Sequence, residues 1–162
     1  MPDKHTHNGF SGNIHIGSDH AGFNLKADLL EYLRSLDVDS GIEDCGTYDP
    51  GRFDYPRAAR AVCRAVLADS GMGILICGSG IGVSMSANRM PGIRAALCTH
   101  EFHARMSRAH NNANVICFGE RVTAAPLARE LLKIFMETPF SGGRHAKRVE
   151  LIELFTDIRI EK

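Results

Sequence analysis

The sequence predicts an α/β protein, a three-layer α/β/α sandwich built on a parallel sheet of about five strands. Short apolar runs alternate with longer amphipathic stretches along the whole chain, the order that such a fold requires. Between Met72 and Pro91 the run Ile74, Leu75, Ile76 is too short for a helix and is flanked by glycines, as a strand buried on both faces would be. Gly78, Gly80 and Gly82 then alternate in a loop before a segment with small residues (Ser84, Ser86, Ala87), so this stretch reads as strand, glycine loop, helix.

Residues 1–12 are polar, carry His5 and His7, and are expected to form a disordered tail; residues 13–162 form one domain. Asn13 to Gly17 is the first strand, and Ser18 to Gly22 (Ser-Asp-His-Ala-Gly) turns into a helix whose buried face is Leu25, Leu29, Leu33 and Leu36. Asp19 and His20 thus fall on a strand-to-helix turn, where open α/β sheets place ligand groups, although Asp19 could equally be a simple helix cap. Ile42 to Cys45 is a second strand. A turn-rich loop from Gly46 to Pro56 precedes a helix with Ala58, Ala61, Val62, Ala65 and Val66 on its inner face. Beyond the glycine loop, Ile93 to Cys98 is a strand. Thr99 to Ala109 is a helix starting at Thr99, with Phe102, Met106 and Ala109 inward. His110 and Asn111 end that helix, and Val115 to Phe118 is the next strand. Pro126 opens a helix with the stripe Leu127, Leu131, Ile134 and Phe135. A last helix follows Gly142-Gly143 and carries Leu151, Leu154, Phe155 and Ile158; standing outside the strand–helix alternation, it is expected to pack on a partner subunit.

Composition excludes several classes of function. Nineteen Lys plus Arg balance nineteen Asp plus Glu, so no global field draws nucleic acid or anionic lipid. No apolar run approaches the length of a membrane span, and the first residues contain no signal-like stretch, which predicts a cytoplasmic protein. Five cysteines without a Cys-x-x-Cys pair predict reduced thiols. The loop is not a dinucleotide fingerprint, because Val83 stands where a third Gly or Ala is needed. It is not a nucleotide-phosphate loop either, because no Lys lies between Gly78 and Pro91. His100-Glu101-Phe102-His103 is one residue short of a zinc-protease motif, and no metal site is expected.

What remains is Cys77 at the mouth of a loop whose bare N–H groups favour an anion, Asp19 with His20, His110 with Asn111, and a basic cluster. Arg144 and Arg148 lie four apart on one helix face and can hold one phosphate together. A base, an oxyanion site, a titratable imidazole and a phosphate clamp suit proton abstraction beside the carbonyl of a sugar phosphate.

Six blocks in order, Gly17 to Gly22, Asp54 to Pro56, Ile76 to Gly82, Ala87 to Ala95, His110 to Val115 and Gly142 to Val149, resemble type B ribose-5-phosphate isomerases. The resemblance runs from about residue 13 to the C-terminal helix. It implies a Rossmann-like sandwich, a homodimer with sites shared between subunits, and reversible interconversion of ribose 5-phosphate and ribulose 5-phosphate through an enediolate, without cofactor. It also implies that Cys77 is the base, that the Gly78, Ser79, Gly80, Ile81 and Gly82 backbone holds the enediolate, and that Ser79 contacts sugar oxygens. His110 would assist ring opening, Asp19 would meet the ring oxygen or hydroxyls, and Asn111 would fix a hydroxyl. His20, Arg144, Arg148 and Arg121 would bind phosphate, and Tyr55 of the second block joins the substrate-binding set. Val83 stands where members lacking the cysteine carry Glu, which places this chain with the cysteine type. Ser79 replaces the Thr of many such members. The rival readings are a six-carbon sugar-phosphate isomerase, as in the related galactose-6-phosphate and allose-6-phosphate enzymes, and a binding module without turnover.

Overall fold

The computed structural model describes residues 12–36 and 41–154; the expected tail over residues 1–11 and the helix positions Phe155 and Ile158 lie outside the described residues. The elements are β1 (Ile14–Ser18), a 3₁₀ turn (His20–Gly22), α1 (Phe23–Ser35), β2 (Ile42–Asp44), α2 (Tyr55–Asp69), β3 (Met72–Cys77), α3 (Ile81–Ala87), β4 (Ala95–Leu97), α4 (Glu101–Ala109), β5 (Val115–Gly119), α5 (Ala125–Glu137) and α6 (Arg144–Leu154). All four strand pairings are parallel, in the order β2-β1-β3-β5-β4. The chain leaves β1 outward to β2 and returns inward to β3, so the crevice between the carboxyl ends of β1 and β3 is the switch point where such sheets bind ligands.

The period-two alternation of the strands divides the core. Ile14, Ile16, Ile74, Ile76, Ile116 and Phe118 pack with Leu29 and Leu33 of α1 and Leu131 and Phe135 of α5. Leu75, Cys77, Val115 and Cys117 face Ala58, Val62 and Val66 of α2 and Val83 of α3. Each fully buried Ile or Leu contributes about 1.5–3 kcal/mol relative to exposure. Gly17 on β1 lets α2 lie close, since a Cβ there would fall 2.7 Å from Val62 Cγ2.

Two helix faces differ from the sequence expectation. In α4 the inward residues are Ala104, Ser107 and Ala109; Phe102 is 67% exposed and Met106 only half-buried, because α4 packs against α5 through its small residues. The helix is entered at His100, not Thr99. In α5 the buried stripe is Ala128, Leu131, Leu132 and Phe135, which turns Leu127, one position (about 100°) away from Ala128, outward. All five cysteines are free thiols. No described helix is long and apolar enough to cross a membrane.

Candidate active site

The carboxyl ends of β1, β3 and β5 form one edge because their register is continuous. Ser18 lies level with Ile76, and Cys77 with Gly119. The ladder extends past the strands: Asp19 N–H donates to the Ile76 carbonyl at 3.2 Å, Glu120 N–H to Cys77 at 2.9 Å, and Arg121 N–H to Gly78 at 3.1 Å. Segments 60 and 40 residues apart in sequence thereby meet around one thiol.

A cleft of about 410 Å³ opens at this edge, lined by Asp19, His20, Ala21, Tyr55, Cys77, Gly78, Ser79, Gly82, Arg121 and Val122. Cys77 is 4% exposed, and its Sγ accepts the N–H of Gly80 at 3.1 Å. That bond closes the loop back on the sulfur and requires Gly80 at φ 79°, a left-handed conformation open to glycine. The loop has no room to shift toward β5, since a Cβ on Gly119 would lie 2.4 Å from the Ser79 carbonyl carbon. Gly22 lets the turn after β1 lie against the end of β3, where a Cβ would come 2.8 Å from the Ile76 carbonyl. Ser79 Oγ accepts the Ile81 N–H at 3.3 Å.

Asp19 resolves the two readings of its turn by fulfilling both. Its Oδ1 accepts the N–H groups of Ala21 (2.9 Å) and Gly22 (3.1 Å), capping the 3₁₀ turn, and the buried carboxylate still lines the cleft. His20 is exposed, with Nδ1 3.1 Å from the Phe53 carbonyl, so the ring is oriented by the covering loop. Tyr55 lies over Gly82, where a Cβ would come within 2.9 Å of its ring. The Arg121 guanidinium lies along Gly78, 3.2 Å from where a Cβ would stand. The wall thus offers a thiol, a carboxylate, bare backbone and two basic side chains, a set that suits an anionic, oxygen-rich substrate undergoing proton transfer. Gly80 and Ile81 are not part of the wall; Gly80 is buried beneath it and the Ile81 side chain is half exposed.

The remaining predicted residues form a second group. His110 caps the C-terminus of α4 and stacks its ring on His145 of α6, with centroids 4.1 Å apart and planes 7° from parallel. Asn111 is the exposed neighbour of His110, and Arg144 and Arg148 occupy the first turns of α6. Burial first, then the charges of His110, Arg144 and Arg148, hold the His145 imidazole below its usual pKa. None of His110, Asn111, Arg144 or Arg148 lines the cleft of their own chain.

Sequence reasoning did not single out Val122 in the wall or Gly119 beneath it, whose need is tertiary and which no local pattern marks; Ala21 and Gly22 stood in the Gly17–Gly22 block without a role of their own. His145 was visible only as part of a basic cluster, its stacking partner being 35 residues away. Burial pushes the thiols of Cys45 and Cys63 up to about 12 and that of Cys98 to about 11, and Cys117 rises well above the ordinary thiol value.

Comparison with known proteins gives a consistent result. A family described as Ribose/Galactose Isomerase matches residues 14–152. Ribose-5-phosphate isomerase B of Escherichia coli is 42% identical over 142 residues, covering 86% of this chain and 93% of its own. A putative sugar phosphate isomerase of Bacillus subtilis is 43% identical over 140 residues, covering 84% and 91%. Among solved structures, ribose-5-phosphate isomerase B of Clostridium thermocellum superposes with a TM-score of 0.85 at 43% identity, covering 88% of this chain and 96% of that one. The type B enzyme of Trypanosoma cruzi gives 0.85 at 40% identity, covering 90% and 97%.

Proposed function

The chain belongs to the ribose/galactose isomerase family, and from that premise we propose that it interconverts ribose 5-phosphate and ribulose 5-phosphate, with Cys77 as the base. The observation that carries this reading is the seating of Cys77 Sγ on the Gly80 N–H, in a cleft that also contains Asp19, Ser79 and two basic side chains.

In the proposed reaction His110 protonates the ring oxygen of the furanose as the C1–ring-oxygen bond breaks, the anomeric hydroxyl, held by Asp19, gives its proton to water and its electron pair to the new C1 carbonyl, and the open-chain aldehyde forms. The Cys77 thiolate takes the C2 proton, the C2–H electron pair becomes the C1–C2 double bond, and the carbonyl electrons move to O1. The N–H groups of Gly78, Ser79 and Gly82, the loop residues that line the cleft, face the oxygens of the resulting enediolate. The thiol returns the proton to C1 as the C1–C2 double-bond pair takes it up, the O2 proton passes to O1, the O2–H electrons form the C2 carbonyl, and the ketose results. Ser79 contacts sugar oxygens, Asn111 and Tyr55 fix the chain, and His20, Arg121, Arg144 and Arg148 bind the phosphate. Metal and cofactor have no part in this scheme.

His110, Asn111 and the two arginines stand outside their own chain's cleft. The proposal therefore includes a homodimer in which these residues complete the cleft of the partner, and α6, whose Leu151, Ile152 and Leu154 are 40–69% exposed, packs against the second subunit. A dimer of such dimers is compatible with this, as is a cytoplasmic location.

The test is kcat/KM on ribose 5-phosphate and allose 6-phosphate side by side. A strong preference for the five-carbon sugar is expected. Equal or greater activity on the six-carbon sugar would transfer the assignment to the rival isomerase, and no activity on either would favour the binding module.

A further inference from the structure

At the amino end of the sheet, remote from the cleft, His15 is 4% exposed and has a carboxylate on each ring nitrogen. Nδ1 lies 2.8 Å from Glu43 Oε2, and Nε2 lies 3.0 Å from Asp69 Oδ2. Asp69 is itself fixed, accepting from the Asn13 amide at 2.7 Å and from the Gly71 N–H at 2.8 Å. With the Nε2 proton directed to Asp69, the Nδ1 lone pair faces a carboxylate oxygen. Two acceptors at 2.8 Å need a cation between them, either a proton or a metal ion.

A third donor is at the same place. Glu43 of β2 pairs with His15 in register, Cys45 follows just past the end of that strand, and the ligand atoms of His15, Glu43 and Cys45 lie within 4.8 Å of one another. Bonds of about 2.0–2.3 Å in a tetrahedron separate donor atoms by roughly 3.3–3.8 Å, so small side-chain rotations suffice. Asp69 on the far nitrogen is the arrangement that metal-ligating histidines ordinarily have: a carboxylate that fixes the tautomer and strengthens the ligand. Of the nearby cations, Lys26 is committed to Asp44 at 2.6 Å and to the Thr47 carbonyl.

We propose that His15, Glu43 and Cys45 form a structural site for a zinc-type divalent ion, with water as the fourth ligand and Asp69 as the group that orients His15. Binding releases the Cys45 thiol proton and any proton held between His15 and Glu43. The Glu43 carboxylate beside His15 and the Asp69 carboxylate behind it supply negative charge at the site. The ion would join β2, an edge strand of three residues that pairs with β1 alone among the described residues, to β1 and to the end of α2. This site neither uses nor requires the proposed isomerase chemistry.

Titration of the full-length protein with Co²⁺ tests the site through the thiolate-to-cobalt charge-transfer absorption. The expected result is a band that saturates at one ion per chain, is lost in Cys45→Ser and persists in Cys77→Ser, with Zn²⁺ displacing the cobalt and raising the melting temperature of the wild type but not of Cys45→Ser or Glu43→Gln. Absence of the band in the wild type would overturn the proposal. So would a band that survives Cys45→Ser and disappears in Cys77→Ser, since the metal would then be bound at the cleft.

Discussion

The two groups of candidate functional residues are held by different means. Around Cys77 the backbone does the positioning: ladder bonds from Asp19, Glu120 and Arg121, one N–H on the sulfur, Gly119 pressed against the loop at Ser79 and Gly22 pressed against the end of β3 at Ile76. Around His110 it is side chains on two helix ends, a stacked pair of imidazoles and two exposed arginines on α6. A group fixed by a sheet is rigid before substrate arrives. One on the surface of a terminal helix is fixed by what that helix packs against, and substitutions on the two sides should therefore fail differently.

The largest effect is expected on the backbone-held side. Cys77→Ala should lower kcat by about 10²–10⁴, the range for loss of a positioned base, while substrate affinity changes little because the loop's N–H groups remain. Solvent deuterium entering product at the wild-type rate in this variant would show that another group moves the proton.

The next experiment separates a shared cleft from one confined to a single chain. Cys77→Ala and His110→Ala, each inactive or nearly so, are unfolded together and refolded as a mixture. If Cys77 of one subunit works with His110 of the other, each mixed dimer contains one intact site. Since half of the dimers are mixed, activity should return to roughly a quarter of wild type. A site contained in one chain would return none.

These two groups were also unequally legible in the sequence. The alternation of elements, the glycine loop after β3 and the turn after β1 are local patterns, and each is where reading along the chain puts it. Phe102 and Leu127 were misplaced because helical periodicity alone does not say which face a neighbouring helix covers; the small stripe of Ala104, Ser107 and Ala109 against α5 decided the first. Gly119 looked ordinary, since its necessity comes from the Ser79 backbone 40 residues away. The residues of the second group were identified by resemblance and by their place at element ends. That they stand apart from their own cleft is a property of three-dimensional packing with no signature in spacing.

The smallest effects should come from the helix-borne side. Arg148→Ala removes one charge-assisted contact to phosphate, worth about 1.5–3 kcal/mol, and should raise KM about tenfold or more with kcat nearly kept. An unchanged KM would take Arg148 out of the phosphate site. The same variant should also move His145, whose imidazole is held low chiefly by burial and further by His110, Arg144 and Arg148. Folding favours its neutral form, so its contribution to stability is unfavourable below the depressed folded pKa, and the deficit disappears as pH rises through the ordinary imidazole value. With one arginine gone the His145 resonance, followed by NMR across pH, should titrate slightly higher. The shift should stay small, because burial, the first cause, remains. A full return to the ordinary value would mean that charge rather than burial holds the ring neutral, and the His110–His145 stack would then be maintained by the two arginines instead of by packing.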